Sequence, residues 1–173
     1  IEEASATLWG LARDIIQEST DKGLYSIDVS TQIRTAMAAL PKQDTPSLRA
    51  VRRHWSRALK EISGAEMIAI ARALEPRLEQ NRKWLAFELL RFHRCAFEAL
   101  TEAQIADFAE RIASWYATDA FGTILAGPLW AKGRISDSLI DAWSRSDDRW
   151  LRRSALVATV GRNGVNPHAP STL

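Results

Sequence analysis

Proline, glycine and cysteine are scarce in this chain of 173 residues, which holds six Pro, eight Gly and one Cys. A single cysteine excludes an internal disulfide. Cys95, inside the helical pattern FHRCAFEAL, reads as a buried thiol, and this usage fits a reducing intracellular compartment. Few Gly and Pro leave a composition rich in helix formers. No apolar run reaches the ~18 residues that a membrane span requires, and no signal-peptide pattern is visible. The three histidines, His54, His93 and His168, have no ligand spacing, so neither a metal nor another cofactor is expected.

What is present is a globular composition, 46% hydrophobic and 25% charged. The net charge is only +2, but it is unevenly spread. Residues 49–94 hold eleven Lys/Arg against five acids, and residues 132–162 hold seven against four. Such segments can present one positive face to a polyanion, although a basic segment is more often a solvated helix face.

Apolar spacing is helical throughout, and no alternating strand pattern of useful length occurs. Residues 2–18 place Leu8, Leu11, Ile15 and Ile16 at helical intervals, and DVSTQIRTAMAAL continues as helix. Thr45-Pro46 reads as an N-cap followed by proline at the first helical position, with Val51, Trp55 and Leu59 four apart behind it. Ser63 to Glu66 and Thr101 to Gln104 have capping-box spacing. Residues 80–100 read as one helix, followed by helices near 118–132, 136–145 and 147–161. Residues 163–173, rich in turn signals, read as a coil tail.

RKWLAFELL and DRWLRRSAL superpose Trp84 on Trp150 and Leu85 on Leu151, with Trp115 between them. A period of ~33–45 residues per helical hairpin is that of stacked α-solenoids. The expected fold is therefore all-α: an α-solenoid of HEAT-like hairpins with a concave basic face, one domain over 1–162. An ordinary helical bundle is the other reading. In the solenoid, Trp115 and Asp119 share a helix face, and Arg153 follows Asp119 by 34 residues, about one repeat. The three can meet on the concave surface. Each also has a structural reading. Asp119 could cap a helix starting near Ala120, Trp115 could be core, and Arg153 could make an ion pair between repeats. Trp9, Trp55, Trp84, Trp130 and Trp143 read as packing.

SWYATDAFGTILAGPLW followed by WSRSDDRWLRRSALVATV resembles the DNA alkylation repair enzymes of the AlkD type, which are HEAT-like DNA glycosylases acting on cationic N3- or N7-alkylated purines. The resemblance runs from about Thr45 onward and is strongest over 114–162. It implies an active site of Trp115, Asp119 and Arg153, catalysis directed at the sugar–phosphate backbone without a gripped base, and double-stranded DNA with alkylated bases as partner. A cytoplasmic monomer with no membrane association is expected. Two departures stand out. Ala36 and Met37 occupy the place of a family aromatic, and a further DNA-facing tryptophan belongs to a repeat expected beyond residue 173.

The chemistry also follows from first principles. A cationic purine leaves without protonation by a general acid. A carboxylate at Asp119 stabilises the oxocarbenium-like sugar and orients water, and the Trp115 indole face adds a cation–π contact. Arg153 braces the acid or holds a phosphate. Arg149, Arg152, Lys132, Arg82 and Lys83 are candidate phosphate contacts. The expected activity is that of a monofunctional N-glycosylase. The alternatives are a non-catalytic DNA-binding repeat protein and a protein-binding solenoid.

Overall fold

Ser63 and Thr101 each close a reciprocal capping box. The Ser63 hydroxyl accepts from Glu66 N while the Glu66 carboxylate accepts from Ser63 N, and Thr101 and Gln104 do the same. These exchanges satisfy orphan amides at two helix starts. The structure, a computed structural model, describes residues 22–165. The helix expected over 2–18 and the tail beyond Val165 lie outside the described residues.

The described residues form helices α1 (Lys22–Ala38), α2 (Thr45–Ala58), α3 (Gly64–Leu74), α4 (Trp84–Phe92), α5 (Arg94–Ala99), α6 (Glu102–Glu110), α7 (Trp115–Ala120), α8 (Gly127–Ala131), α9 (Asp137–Ser144) and α10 (Arg149–Val165). Between α7 and α8 the backbone continues as a π-helix over Phe121–Ala126, so residues 115–131 form one rod. No strand occurs among the described residues. The fold is all-α and repetitive.

Helices pack in two rows. α1, α3 and α5 are neighbours in one row; α2, α4, the 115–131 rod and α10 follow one another in the second. α6 and α9 pack on α10, and side chains carry the first row on through them, Arg72 of α3 to Asp107 of α6 and Ser136 before α9 to Glu102 of α6. Side chains tie each hairpin to the next at a nearly constant separation. Arg52 reaches Glu88 over 36 residues, Arg111 reaches Glu75 over 36, Ser136 N donates to Glu102 over 34, and Gln80 receives Ala113 N over 33. This period marks a helical array in which each unit stacks on its neighbours. A spine of rings follows it. Phe87 meets Phe108 and Phe121 edge-on at 6.1 and 5.6 Å, and Phe121 meets Trp143 at 5.9 Å. Each fully buried ring stabilises the stack by about 1.5–3 kcal/mol.

Several boundaries differ from the sequence reading. Asp44, not Thr45, caps α2, because its carboxylate accepts from Ser47 N at 3.0 Å. Those Ser47 hydrogen bonds, with Lys42 alongside, pull the Asp44 pKa down to about 2. The helix expected over 80–100 is broken. His93 leaves helical geometry, and its Nδ1 caps α5 by accepting from Ala96 N at 3.1 Å. Cys95 is exposed rather than buried. The short α5 turns Ala96 and Phe97 inward, which leaves position 95 outside. The last helix runs to Val165, past the expected end near 161. Trp55, Trp130 and Trp143 are buried, and Trp84 is half-buried; Trp9 lies outside the described residues.

Candidate functional site

The rod bearing Asp119 begins at Ser114, whose hydroxyl accepts from Ala117 N at 3.2 Å. Asp119 is therefore inside a helix and caps nothing. Its carboxylate must find a partner outside its own backbone. That partner is Arg153 on α10, which donates to Oδ1 from Nη2 at 2.7 Å and from Nε at 3.1 Å. Both bonds end on the same oxygen, so neither engages Oδ2. The pair is only partly covered, with the Asp119 and Arg153 side chains 39% and 40% exposed. A charged, oriented carboxylate with one unclaimed oxygen can stabilise positive charge or hold a water molecule.

Close helix approach makes this pairing possible. A Cβ at Gly122 would stand 2.6 Å from Val157 Cγ1 and 2.9 Å from the Val157 carbonyl carbon. At Gly127 it would stand 2.5 Å from Arg162 N. Without side chains at these points, α10 lies against the backbone of the rod. The π-helical stretch begins two residues after Asp119; such stretches often accompany functional sites.

Trp115, one turn before Asp119, is 49% exposed and not core. Its ring stacks on that of Tyr116, centroids 3.6 Å apart and planes at 28°. Next to this aromatic pair lies an open groove of about 480 Å³ lined by Arg49, Asn81, Trp84, Glu88 and Tyr116, among others. Trp115, Asp119 and Arg153 do not line it.

The expected phosphate contacts divide. Arg149, Arg152 and Lys132 are exposed. Arg149 covers the Trp150 ring at 4.5 Å, and Arg152 donates to the carbonyls of Ser146 and Asp147 at 2.6 and 2.9 Å. Arg82 is paired with Glu79 at 3.4 Å. Lys83, expected at a phosphate, is not placed to reach one. It is buried, with its ammonium on the Glu75 carboxylate, so it neutralises a buried acid and is not a surface contact. Glu75, itself fully buried, also accepts from Arg111 at 2.6 Å.

The sequence reading did not single out Gly122, Gly127, Tyr116 or the groove. Small residues five apart, facing a Gly on the next repeat, were the available signal for the close approach. The groove had none, because three hairpins build it. Among the described residues no cluster of three His, Cys, Asp or Glu side chains could hold a metal ion, and no helix is long and apolar enough to cross a membrane.

The family model described as DNA alkylation repair enzyme matches residues 43–164. No curated protein and no solved structure matches the chain. The matched span contains α2 to α10 almost entirely, with Trp115, Asp119 and Arg153 inside it. This chain belongs to the DNA alkylation repair enzyme family, and its role is in DNA repair.

Proposed function

We propose that this protein is a monofunctional DNA glycosylase that hydrolyses the N-glycosidic bond of cationic alkylated purines in double-stranded DNA. The observation that carries the reading is the partly exposed Asp119 carboxylate, fixed at one oxygen by Arg153 and one turn from the exposed Trp115. The alkylated base already carries positive charge. When the C1′–N bond breaks, its electron pair returns to the base, which leaves neutral. The sugar becomes oxocarbenium-like. Asp119 faces that charge with Oδ2 and orients water, whose oxygen bonds to C1′ and whose proton passes to the carboxylate or solvent. Trp115 offers its π-face to the same cation. Arg153 holds the acid in place.

On this reading the HEAT-like array presents its second row to the duplex. Arg149 and Lys132 are free to meet phosphates, while Arg152 and Arg82 first have to leave the partners described above. The protein works as a monomer, without a cofactor, in the intracellular compartment that holds DNA. The test is release of 7-methylguanine or 3-methyladenine from methylated duplex DNA. Asp119→Asn is expected to lose excision while keeping its helical content and its affinity for DNA. Full excision by the variant would remove Asp119 from the reaction.

One observation favours a second reading, a non-catalytic protein that recognises distorted DNA. The array contains another acid–arginine bridge between hairpins, Arg52 to Glu88, whose burial marks it as a structural clasp. If Asp119–Arg153 is only such a clasp, neither the wild type nor the variant releases base, and the variant is merely less stable.

A further inference from the structure

The groove beside Tyr116 is built from three successive helices of the second row. Arg49 comes from α2, Asn81, Trp84 and Glu88 from the segment around α4, and Tyr116 from the rod. Its volume of about 480 Å³ lies within the range of small-ligand sites. Its lining combines three kinds of contact. Trp84 and Tyr116 supply aromatic rings, Asn81 an exposed amide, and Arg49 a guanidinium 51% exposed. Stacking surface, amide and cation are the groups that a nucleotide's base face, base edge and phosphate call for.

Charge narrows the ligand. Glu88 is bound at Oε2 by Arg52 at 2.8 Å and approached at Oε1 by Arg49 at 3.4 Å. Arg52 stands outside the lining, where Arg49 and Glu88 balance, and with it the local charge is one unit positive. Arg49 also stands 5.5 Å from the Trp84 ring centroid, already in the place where a cation would sit. A cationic alkylpurine is therefore disfavoured, and a neutral base with a phosphate near Arg49 is favoured.

We propose that this groove receives one unstacked nucleotide carrying a neutral base, such as the partner or neighbour of a lesion. The Trp115–Tyr116 stack joins it to Asp119 as one aromatic shelf, Trp115 serving the sugar and Tyr116 the displaced base. This assignment rests on the DNA reading above but not on catalysis by Asp119.

The test is binding of the full chain to two duplexes, one with a single unpaired 2-aminopurine and one fully paired, read by affinity and by 2-aminopurine fluorescence. The wild type is expected to prefer the unpaired duplex about tenfold, the order one base–aromatic stack supplies, with a fluorescence change on binding. Tyr116→Ala and Asn81→Ala each replace an exposed side chain, and Asn81 lies apart from the Trp115 stack. Both variants are expected to keep their affinity for paired DNA and to lose most of the preference. Asp119→Asn is expected to keep it. In that Asp119→Asn background, unpaired guanine is expected to gain more than unpaired 7-methylguanine; the reverse order overturns the choice of a neutral base. Equal wild-type binding to both duplexes, or a preference that survives both groove variants, overturns the proposal. Failure to bind either duplex overturns it together with the DNA reading. Full excision by Asp119→Asn alongside an intact preference removes only the catalytic reading.

Discussion

Two helices of the second row carry a tryptophan and an acid four residues apart, Trp84 and Glu88 on α4 and Trp115 and Asp119 on the rod. Glu88 is met at both oxygens by arginines from the preceding hairpin, and its side chain is only 9% exposed. Asp119 is met at one oxygen by one arginine from the following hairpin and stays far more open. Trp84 packs against the core, whereas Trp115 stands out from it. The shared spacing sets only which face of the helix the pair occupies. The number of arginines, and the side they come from, decides whether the acid closes a joint or remains available to a ligand.

The sharpest way to break this contrast is to remove each charge in turn. Asp119→Asn is expected to lower single-turnover excision by about 10²–10³-fold, the cost of one preorganised electrostatic group, with little change in urea-unfolding free energy, because an exposed pair stabilises weakly. Glu88→Gln should do the opposite. It leaves Arg52 poorly partnered in a largely buried place and is expected to cost about 2–4 kcal/mol of stability. Its excision should fall far less than that of Asp119→Asn. If the two variants exchange these signatures, the roles given to the two acids are reversed.

Next in size is the contact that brings the open pair together. Gly127→Ala pushes a methyl group into the backbone of α10 at Arg162 N. Overpacking of this kind costs about 1–3 kcal/mol. It should also move Arg153 off Asp119, so excision and stability fall together, unlike either charge variant. A Gly127→Ala protein with unchanged unfolding and unchanged activity would show that the close approach does not hold the pair. Smaller again is Trp115→Ala, expected to reduce excision about tenfold by loss of a cation–π contact with the unfolding midpoint unchanged. Trp84→Ala should first be felt as lost packing.

Local features were legible because their causes are local. The capping boxes at Ser63 and Thr101 need only a hydroxyl and a Glu or Gln three residues on, and both formed. The pairing of Asp119 with Arg153 was legible for a different reason: a repeat turns a separation of 34 residues into a contact. Features that depend on a neighbour's side chain were hidden. Lys83 lies in a basic stretch, and nothing in that stretch says that Glu75 will bury it across an intervening 3₁₀ turn. His93 fits an apolar helix by pattern, yet its ring competes for an amide and starts a new helix. The groove combines residues from 49 to 116, and no single segment carries its shape.

The smallest expected effect carries the comparison to the other row of the array. Asp107 on α6 is held by Arg111 at 2.6 Å and Arg72 at 3.0 Å, one arginine on each oxygen, the bracketed arrangement of Glu88 in a more open setting. The Arg111 hydrogen bond is the chief cause that lowers its pKa below the ordinary 3.8; burial opposes it, and the Arg111 and Arg72 charges add to it. An acid whose folded pKa is depressed adds stability above its unfolded pKa and loses it as pH falls through the folded value. Wild type should therefore be more stable than Asp107→Asn at pH 6, by less than about 1 kcal/mol given the exposure of the pair, and the difference should shrink as pH falls below the ordinary 3.8. Urea titrations at pH 6, 4 and 3 measure it. A gap that stays constant across that range would mean that Asp107 acts through packing, and that two arginines around an acid do not by themselves make an electrostatic joint.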